Sequence, residues 1–335
     1  MGVSPSSSSS PKPSLYAVPC EDQPKAPNAT PVFRSLKATE GLLANFDPPF
    51  STLYQVFKTA CSHHPSRPCL GEQRAHSDGN RYEWLSYEEV DLLARKTARF
   101  IEKEGLASEG GLVSIMGPNC NAWVVTDLAL NLLGLASVPF FQALAPEARL
   151  YILEETEVTS LFGSYADIFA LLQHGSLARL KHLICFQPVS HDLASLAASL
   201  DSSLVLFDFW EQIGKQEAEL LPALSPPGLD TLFTICYTSG TTGVPKGACI
   251  SNGNMIASIK CRYEVQHGSP EDCLISYLPL AISCPTSLST PPSTAPCEWA
   301  TGEAVRRASS KTCSCCSRQW SRSCPAFSTG STTES

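Results

Sequence analysis

The stretch from residue 232 to residue 247 reads Leu232-Phe-Thr-Ile-Cys-Tyr-Thr-Ser-Gly-Thr-Thr-Gly-Val-Pro-Lys-Gly247 and decides the fold. Its first six residues form an apolar run typical of a buried strand. The ten residues that follow hold three glycines, four hydroxyl side chains and one lysine. Glycines let backbone N–H groups approach a ligand closely, hydroxyls add hydrogen bonds, and the lysine adds a positive charge. The pattern therefore predicts a strand that leads into a polyphosphate-binding loop.

A Walker loop is the obvious alternative for a loop of this composition. It requires a Gly-Lys-Ser/Thr ending, whereas Lys246 lies between Pro245 and Gly247. No Ser or Thr follows the lysine at the position that would start a helix and hold magnesium, so we exclude that class. A surface turn without a ligand is the second alternative.

Upstream of this stretch, short apolar runs alternate with helical patterns. Ser86 and Glu89 have the spacing of a capping box, and the helical period that follows predicts a helix up to Gly105. The remaining patterns predict strands at 112–116, 136–140 and 158–162, weaker strands at 183–186, 204–207 and 232–237, and helices at 121–133 and 146–155. Such alternation is typical of an α/β fold with parallel sheets flanked by helices.

Composition excludes several functional classes. The 24 Lys and Arg against 32 Asp and Glu give no reason to expect a nucleic-acid partner. No apolar run reaches the roughly 18 residues of a membrane-spanning helix. The 15 cysteines occur in a chain of 335 residues that opens without a signal-peptide pattern, so reduced thiols and an intracellular protein are expected instead of a disulfide scaffold.

The first 31 residues are rich in Ser and Pro and are predicted to be disordered. Their opening, Met-Gly-Val-Ser-Pro-Ser, fits the pattern for N-myristoylation at Gly2, with an unmodified tail as the alternative. One acyl chain gives only marginal membrane binding. The expected location is therefore the cytoplasm or, through peripheral attachment, the cytoplasmic face of a membrane.

The loop and its flanks resemble the AMP-forming, adenylate-forming enzymes. Residues 237–247 look like the phosphate-loop signature of that superfamily. Further segments resemble the long-chain acyl-CoA synthetase branch, namely Tyr82 to Tyr87, Asn119 to Trp123, Val138 to Pro139, Ala145 to Ala148 and Ser276 to Ala281. The resemblance implies that residues 32–281 are the N-terminal part of an AMP-binding (adenylation) domain.

The same resemblance implies a function. A long-chain fatty acid–CoA ligase converts ATP, a fatty acid and coenzyme A into acyl-CoA, AMP and pyrophosphate, so the implied cofactors are ATP, Mg²⁺ and coenzyme A. The phosphates would be bound by Thr238, Ser239, Gly240, Thr241, Thr242, Gly243, Pro245, Lys246 and Gly247. Tyr277, Leu278 and Pro279 would lie on the fatty-acid side. The resemblance identifies no catalytic residue and no metal ligand within this chain.

After Ala281 the sequence departs from the family pattern. The family continues with a His-Ile pair, whereas residues 282–335 hold 13 serines and six cysteines and show no amphipathic period. We interpret this tail as the product of a frame change and predict that it is unstructured. A displacement by two nucleotides is compatible with the missing His-Ile pair, and a gene-model error or a splice variant would look the same in protein.

Other interpretations of the tail and of the whole chain stay open. Cys313 and Cys316 have one zinc-like spacing, which Cys284, Cys297 or Cys324 could complete. Gly330 to Glu334 resembles the family's Gly-x-Thr-Glu motif, which we interpret as coincidence. The adenine-side, ribose-side and catalytic-lysine motifs of the family are absent from these residues, so the chain as given is predicted to be inactive. The alternatives are a catalytically silent nucleotide- or acyl-binding protein and a ligase for another carboxylate.

Overall fold

The structure is a computed structural model. It describes residues 16–20, 28–77, 79–140, 144–175, 177, 179–218, 227–238, 244–265, 273–276, 278–281 and 298–301. Two compact units divide the chain, Met1–Ala44 and Asn45–Ser335.

In the first unit, β1 (Ala17–Pro19) pairs with β2 (Phe33–Ser35) in antiparallel register. A 3₁₀ turn at Leu36–Ala38 follows, capped by the Ser35 hydroxyl. Strand β1 lies within the first 31 residues, which we predicted to be disordered. The predicted acylation site at Gly2 lies outside the described residues.

The second unit carries the larger part of the fold. In chain order its elements are α1 (Leu53–His63), β3 (Pro68–His76), β4 (Gly79–Ser86), α2 (Tyr87–Lys103), β5 (Leu112–Met116), α3 (Asn121–Leu132), β6 (Ala136–Phe140), α4 (Pro146–Thr156), β7 (Ser160–Gly163), α5 (Tyr165–Gln173), β8 (His182–Cys185), α6 (His191–Leu200), β9 (Val205–Asp208), α7 (Phe209–Gly214), β10 (Leu232–Thr238), β11 (Lys246–Ser251), α8 (Asn252–Val265), β12 (Cys273–Ile275) and β13 (Glu298–Thr301).

Seven of these strands form one sheet in the order β11-β10-β6-β5-β7-β8-β9. All neighbours in it are parallel except β10 and β11, which are antiparallel. Helices cover both faces. Val113 and Ile115 of β5 pack into a cluster with α1, α2, α3 and α7, whereas Met116 packs into a second cluster with α4, α5 and α6. The predicted α/β architecture with a parallel sheet is confirmed.

A smaller sheet has the strand order β12-β13-β3-β4. Its β3 and β4 form an antiparallel hairpin, and β13 runs parallel to both β3 and β12. Strand β13 lies within the tail that we predicted to be unstructured. The other residues of the tail lie outside the described part of the chain.

Helix α2 begins as the capping box predicts. The Glu89 N–H donates to Ser86 Oγ at 3.3 Å, and the Ser86 N–H donates to Glu89 Oε2 at 2.7 Å. This reciprocal pair satisfies two backbone donors that the first turn of a helix leaves unpaired. Tertiary contacts add to this cap, because the Tyr87 and Glu88 N–H groups donate to the backbone oxygens of Arg67 and Pro65 at 3.1 and 2.9 Å.

Helix α3 is a core helix. Its residues from Asn121 to Asn131 are all buried, and its indole donor at Trp123 Nε1 lies 3.1 Å from Asp127 Oδ2. Across the described ranges, no helix combines the length and the apolar character needed to cross a membrane.

Candidate functional site

The predicted phosphate loop connects the two antiparallel strands at one edge of the large sheet. Thr238 is registered opposite Lys246, and Tyr237 opposite Gly247. Ser239, Gly240, Thr241, Thr242 and Gly243 lie outside the described residues. The ladder therefore brings the two ends of the loop together, and the Lys246 side chain on edge strand β11 is exposed.

Strand register places this loop at the carboxyl ends of the parallel strands. Thr234 of β10 is paired with Ser137 of β6, and Ser137 is paired with Val113 of β5. Three residues further along each strand, Tyr237 is level with the last residues of β6 and β5, Phe140 and Met116. Open α/β sheets bind their ligands at this edge.

Gly247 has a packing role beneath the loop. A Cβ atom at this position would lie 2.7 Å from Cγ2 of Ile235 and 3.1 Å from Cζ of Tyr237. The glycine therefore lets the Tyr237 ring lie against the backbone of β11. Sequence reasoning assigned Gly247 to the ligand, and close packing is an additional reason for a glycine here.

Asn119 holds the segment that follows β12. Its Nδ2 group donates to the backbone oxygens of Ser276 and Leu278, at 3.0 and 2.7 Å, and to Ser276 Oγ at 3.0 Å. Its Oδ1 atom accepts the Leu280 N–H at 2.9 Å. Because Asn119 follows β5, these bonds attach the segment to the carboxyl edge of the large sheet.

The end of the same segment contacts the strand that carries the loop. The Cys236 thiol donates to the Ala281 backbone oxygen at 3.6 Å, two residues before Thr238. Two of the residues predicted on the fatty-acid side, Leu278 and Pro279, therefore lie in a segment whose end contacts the strand that leads into the predicted loop. Tyr277 lies outside the described residues. Burial raises the pKa of Cys236, so the thiol stays protonated at neutral pH, as expected for a packing residue.

Sequence reasoning missed two residues that shape this site. Asn119 belongs to a segment that resembles the family, but the resemblance assigns it no role in the site. Its position directly after a buried strand is the signal that would have indicated one. Glu155, in the last turn of α4, accepts a hydrogen bond from the Tyr237 hydroxyl at 2.6 Å. No sequence signal distinguishes it from its acidic neighbours Glu154 and Glu157.

Within the ranges that the structure describes, no group of three or more His, Cys, Asp and Glu side chains is placed to hold a metal ion. The zinc alternative at Cys313 and Cys316 lies outside those ranges.

The chain is similar to acyl-CoA ligases in sequence. The peroxisomal Acyl-CoA ligase 891 of Penicillium brevicompactum is 31% identical over 292 residues, which cover 81% of this chain and 40% of that relative. Human long-chain-fatty-acid–CoA ligase 6 is 29% identical over 249 residues, which cover 72% of this chain and 35% of the relative. The chain thus spans about 40% or less of the length of these relatives.

Solved structures share the fold. The adenylation domain of a carboxylate reductase from Mycobacterium chelonae matches with a TM-score of 0.62 at 21% identity, covering 77% of this chain and 44% of that one. A fatty acyl-CoA synthetase from Mycobacterium tuberculosis matches with a TM-score of 0.56 at 17% identity, covering 74% of this chain and 44% of that one. The family model of the AMP-binding enzymes matches residues 57–293, which include both strands of the loop hairpin and the Ser276–Ala281 segment. The chain belongs to the AMP-binding enzyme family.

Proposed function

We propose that this chain binds ATP through the loop between β10 and β11, as part of a ligase that activates a fatty acid through an acyl-adenylate. One observation carries the proposal: the hairpin registers Thr238 opposite Lys246 at the carboxyl edge of the parallel sheet, so both ends of a Gly- and Thr-rich loop meet where such sheets bind ligands. The acyl-CoA ligases among its relatives support the reaction class.

The proposed chemistry proceeds in two steps. The fatty-acid carboxylate attacks the α-phosphate of ATP and pyrophosphate leaves, and the coenzyme A thiol then displaces AMP from the acyl-adenylate. In the first step, Lys246 and the N–H and hydroxyl groups of residues 238–243 bind the β- and γ-phosphates and stabilise the charge on departing pyrophosphate. Magnesium and coenzyme A follow from the family. The loop positions the triphosphate and supplies no nucleophile.

We place the fatty-acid side of the site at Tyr277, Leu278 and Pro279. Support comes from the hydrogen bonds of Asn119 to Ser276, Leu278 and Leu280, which hold this segment beside the loop-bearing strand. The human relative is named for long-chain fatty acids, which favours that substrate class over other carboxylates. Residues 32–281 would then form the N-terminal part of the adenylation domain.

Replacing Lys246 with alanine is expected to weaken ATP binding about tenfold or more, because a hydrogen bond to a charged group contributes about 1.5–3 kcal/mol. Equilibrium binding of ATP to the purified chain is the measurement. Lys215→Ala is the matched control, since Lys215 is an exposed lysine directly after α7 that pairs with Glu211 at 2.6 Å. Equal ATP affinity for the two variants would contradict the proposal.

Fatty-acid-dependent release of pyrophosphate separates a ligase from a silent binding protein. The unmodified chain is incubated with ATP, Mg²⁺ and palmitate, and the released pyrophosphate is measured. Release that requires palmitate and is reduced by Lys246→Ala would support a ligase. ATP binding without release would support a nucleotide-binding protein that lacks activity on its own.

We further propose that the reading frame changes after Ala281. Leu280 and Ala281 are each 5% exposed and pack into the core. The segments that resemble the long-chain branch end here, whereas the match to the AMP-binding family model extends to residue 293. Sequencing the transcript across codons 281 to 335 tests the idea. We expect a second frame, displaced by two nucleotides, that encodes a His-Ile pair directly after this point. Independent reads in which no frame encodes such a pair would contradict it.

A further inference from the structure

Tyr237, the residue before the predicted phosphate loop, is bonded to helix α4. Its hydroxyl donates to Glu155 Oε2 at 2.6 Å. The other carboxylate oxygen of Glu155, Oε1, accepts the Tyr151 hydroxyl at 3.0 Å. Two phenol donors on one carboxylate fix its orientation, and one of them lies on the strand that leads into the loop.

The ring of Tyr237 is held as well as its hydroxyl. The ring is partly buried against the core cluster that contains Ile152 and Leu153 of α4. Gly247 also leaves room for the ring, since a Cβ atom at that position would lie 3.1 Å from Tyr237 Cζ. Packing thus aims the hydroxyl at the last turn of α4.

The hydrogen bond between Tyr237 and Glu155 lies at the end of β10, one residue before the loop begins. β10 and β6 are in register at Thr234 and Ser137, and Tyr237 and Thr238 extend past that pair toward the carboxyl edge. The partner strand β11 is the edge strand of the sheet. A side-chain bond from α4 to Tyr237 therefore restrains the end of the hairpin where the sheet itself has an open edge.

The protonation states of Tyr237 and Tyr151 favour their hydrogen bonds to Glu155. Burial and the neighbouring Glu155 raise the pKa of the Tyr237 phenol. The hydrogen bond to Glu155 and a degree of burial also raise the pKa of Tyr151. Both phenols therefore stay protonated at neutral pH and donate to the carboxylate.

We propose that Glu155 is a positioning residue for the phosphate loop: it holds Tyr237, and through Tyr237 the first loop residue Thr238, in the orientation that binds the ATP phosphates. This inference rests on the proposed ATP-binding function. Glu155 itself does not contact the nucleotide, and it acts by restricting the hairpin end to the competent orientation before ATP arrives, which lowers the ordering cost of binding.

Four variants and ATP affinity test the proposal. Tyr237→Phe keeps the ring and removes the hydroxyl, and Glu155→Ala removes the acceptor. Each is expected to weaken ATP binding about threefold to tenfold, the effect of losing an ordinary hydrogen bond. Glu155→Gln keeps an amide oxygen as the acceptor and should recover most of the loss. Tyr165→Phe is the matched control. It removes a phenol hydroxyl at the start of α5 that is hydrogen-bonded at 3.1 Å to Ser190 Oγ, the residue before α6.

Combining the variants separates positioning from a general loss of stability. The double variant Glu155→Ala/Tyr237→Phe should bind ATP no more weakly than either single variant, because both remove the same bond. Additive losses of ATP affinity in the double variant would overturn the proposal. A Glu155→Gln variant that binds ATP as weakly as Glu155→Ala would also overturn it. Unchanged ATP affinity in Tyr237→Phe, together with weak binding by Lys246→Ala, would overturn the positioning role alone. Unchanged affinity in Lys246→Ala would overturn the ATP-binding function itself.

Discussion

Replacing Asn252 with alanine is expected to lower the free energy of unfolding by about 3 to 5 kcal/mol. Asn252 starts α8 directly after β11, and its side chain is fully buried. Its Oδ1 atom accepts the Leu53 N–H at 3.2 Å and the Asn131 Nδ2 group at 2.7 Å. Its Nδ2 group donates to the backbone oxygens of Gly228 at 3.3 Å and Thr231 at 3.5 Å.

The large effect follows from what the alanine would leave behind. The Leu53 N–H belongs to the first turn of α1, where backbone donors have no partner within the helix. The Asn131 amide also bonds the next donor of that turn, accepting the Tyr54 N–H at 2.7 Å. Each buried donor or acceptor left unpaired costs about 1–3 kcal/mol, so losing several at once exceeds the effect of an ordinary substitution.

Asn254 provides the matched control two residues further along the same helix. Its side chain is exposed, and its Oδ1 atom accepts the Ser251 N–H at 3.0 Å. Asn254→Ala should therefore cost about 1 kcal/mol or less, as expected for a cap in water. Urea denaturation of the two variants and the unmodified chain measures the difference. Similar losses for both asparagines would show that the buried network does not stabilise the fold.

Strands whose residues are buried on both sides could be predicted from sequence. β5 and β6 have the predicted bounds, because each is a short, mostly apolar run that follows a glycine-containing turn. β7 was predicted at 158–162 but occupies Ser160–Gly163. Val158 is buried although it precedes the strand, so an apolar residue in the connection extended the predicted run at its start.

The hairpin of β3 and β4 could not be predicted in the same way. Its outer residues are polar and exposed or half-exposed, so no apolar run marks it. Its register depends on contacts between the two strands. Gly71 lies opposite Trp84, and a Cβ at Gly71 would lie 2.8 Å from the indole ring. Part of β4, from Tyr82 to Ser86, carries a family resemblance, but its pattern does not predict a strand.

The same distinction between local patterns and distant contacts applies to the candidate site. The loop was predicted because the residues that define it are contiguous. The bonds around it are not local: Asn119 contacts residues 157 to 161 positions away, and Glu155 contacts Tyr237 across 82 positions. Such partners are determined by the order of strands in the sheet, and no pattern in a single segment contains that order.

Asp127 is expected to make the protein less stable as the pH rises from 5 to 8. It lies on α3 and is 6% exposed, with the Trp123 indole N–H donating to Oδ2 at 3.1 Å. Burial raises the pKa of Asp127 to about 7, although hydrogen bonds from Ser137 and Trp123 act in the opposite direction. In the unfolded chain an aspartate has a pKa of about 3.9.

The direction of the pH effect follows from proton binding. Between these two pKa values the folded protein holds a proton that the unfolded chain has released, so unfolding becomes easier as the pH rises. The stabilisation is complete below about pH 4 and is lost as the pH rises through about 7. Since each pKa unit corresponds to about 1.4 kcal/mol, the free energy of unfolding falls by about 3 kcal/mol from pH 5 to pH 8.

Asp127→Asn should remove this dependence. Asparagine has nearly the same shape, its amide oxygen can accept the Trp123 N–H, and it does not titrate. We therefore expect its free energy of unfolding, relative to the unmodified chain, to rise by about 3 kcal/mol between pH 5 and pH 8. Asp230→Asn, at an exposed turn, is the control and should follow the unmodified chain. Urea denaturation across this pH range is the measurement. If the free energies of unfolding of Asp127→Asn and the unmodified chain differ by a constant amount, the buried carboxyl does not titrate in this range.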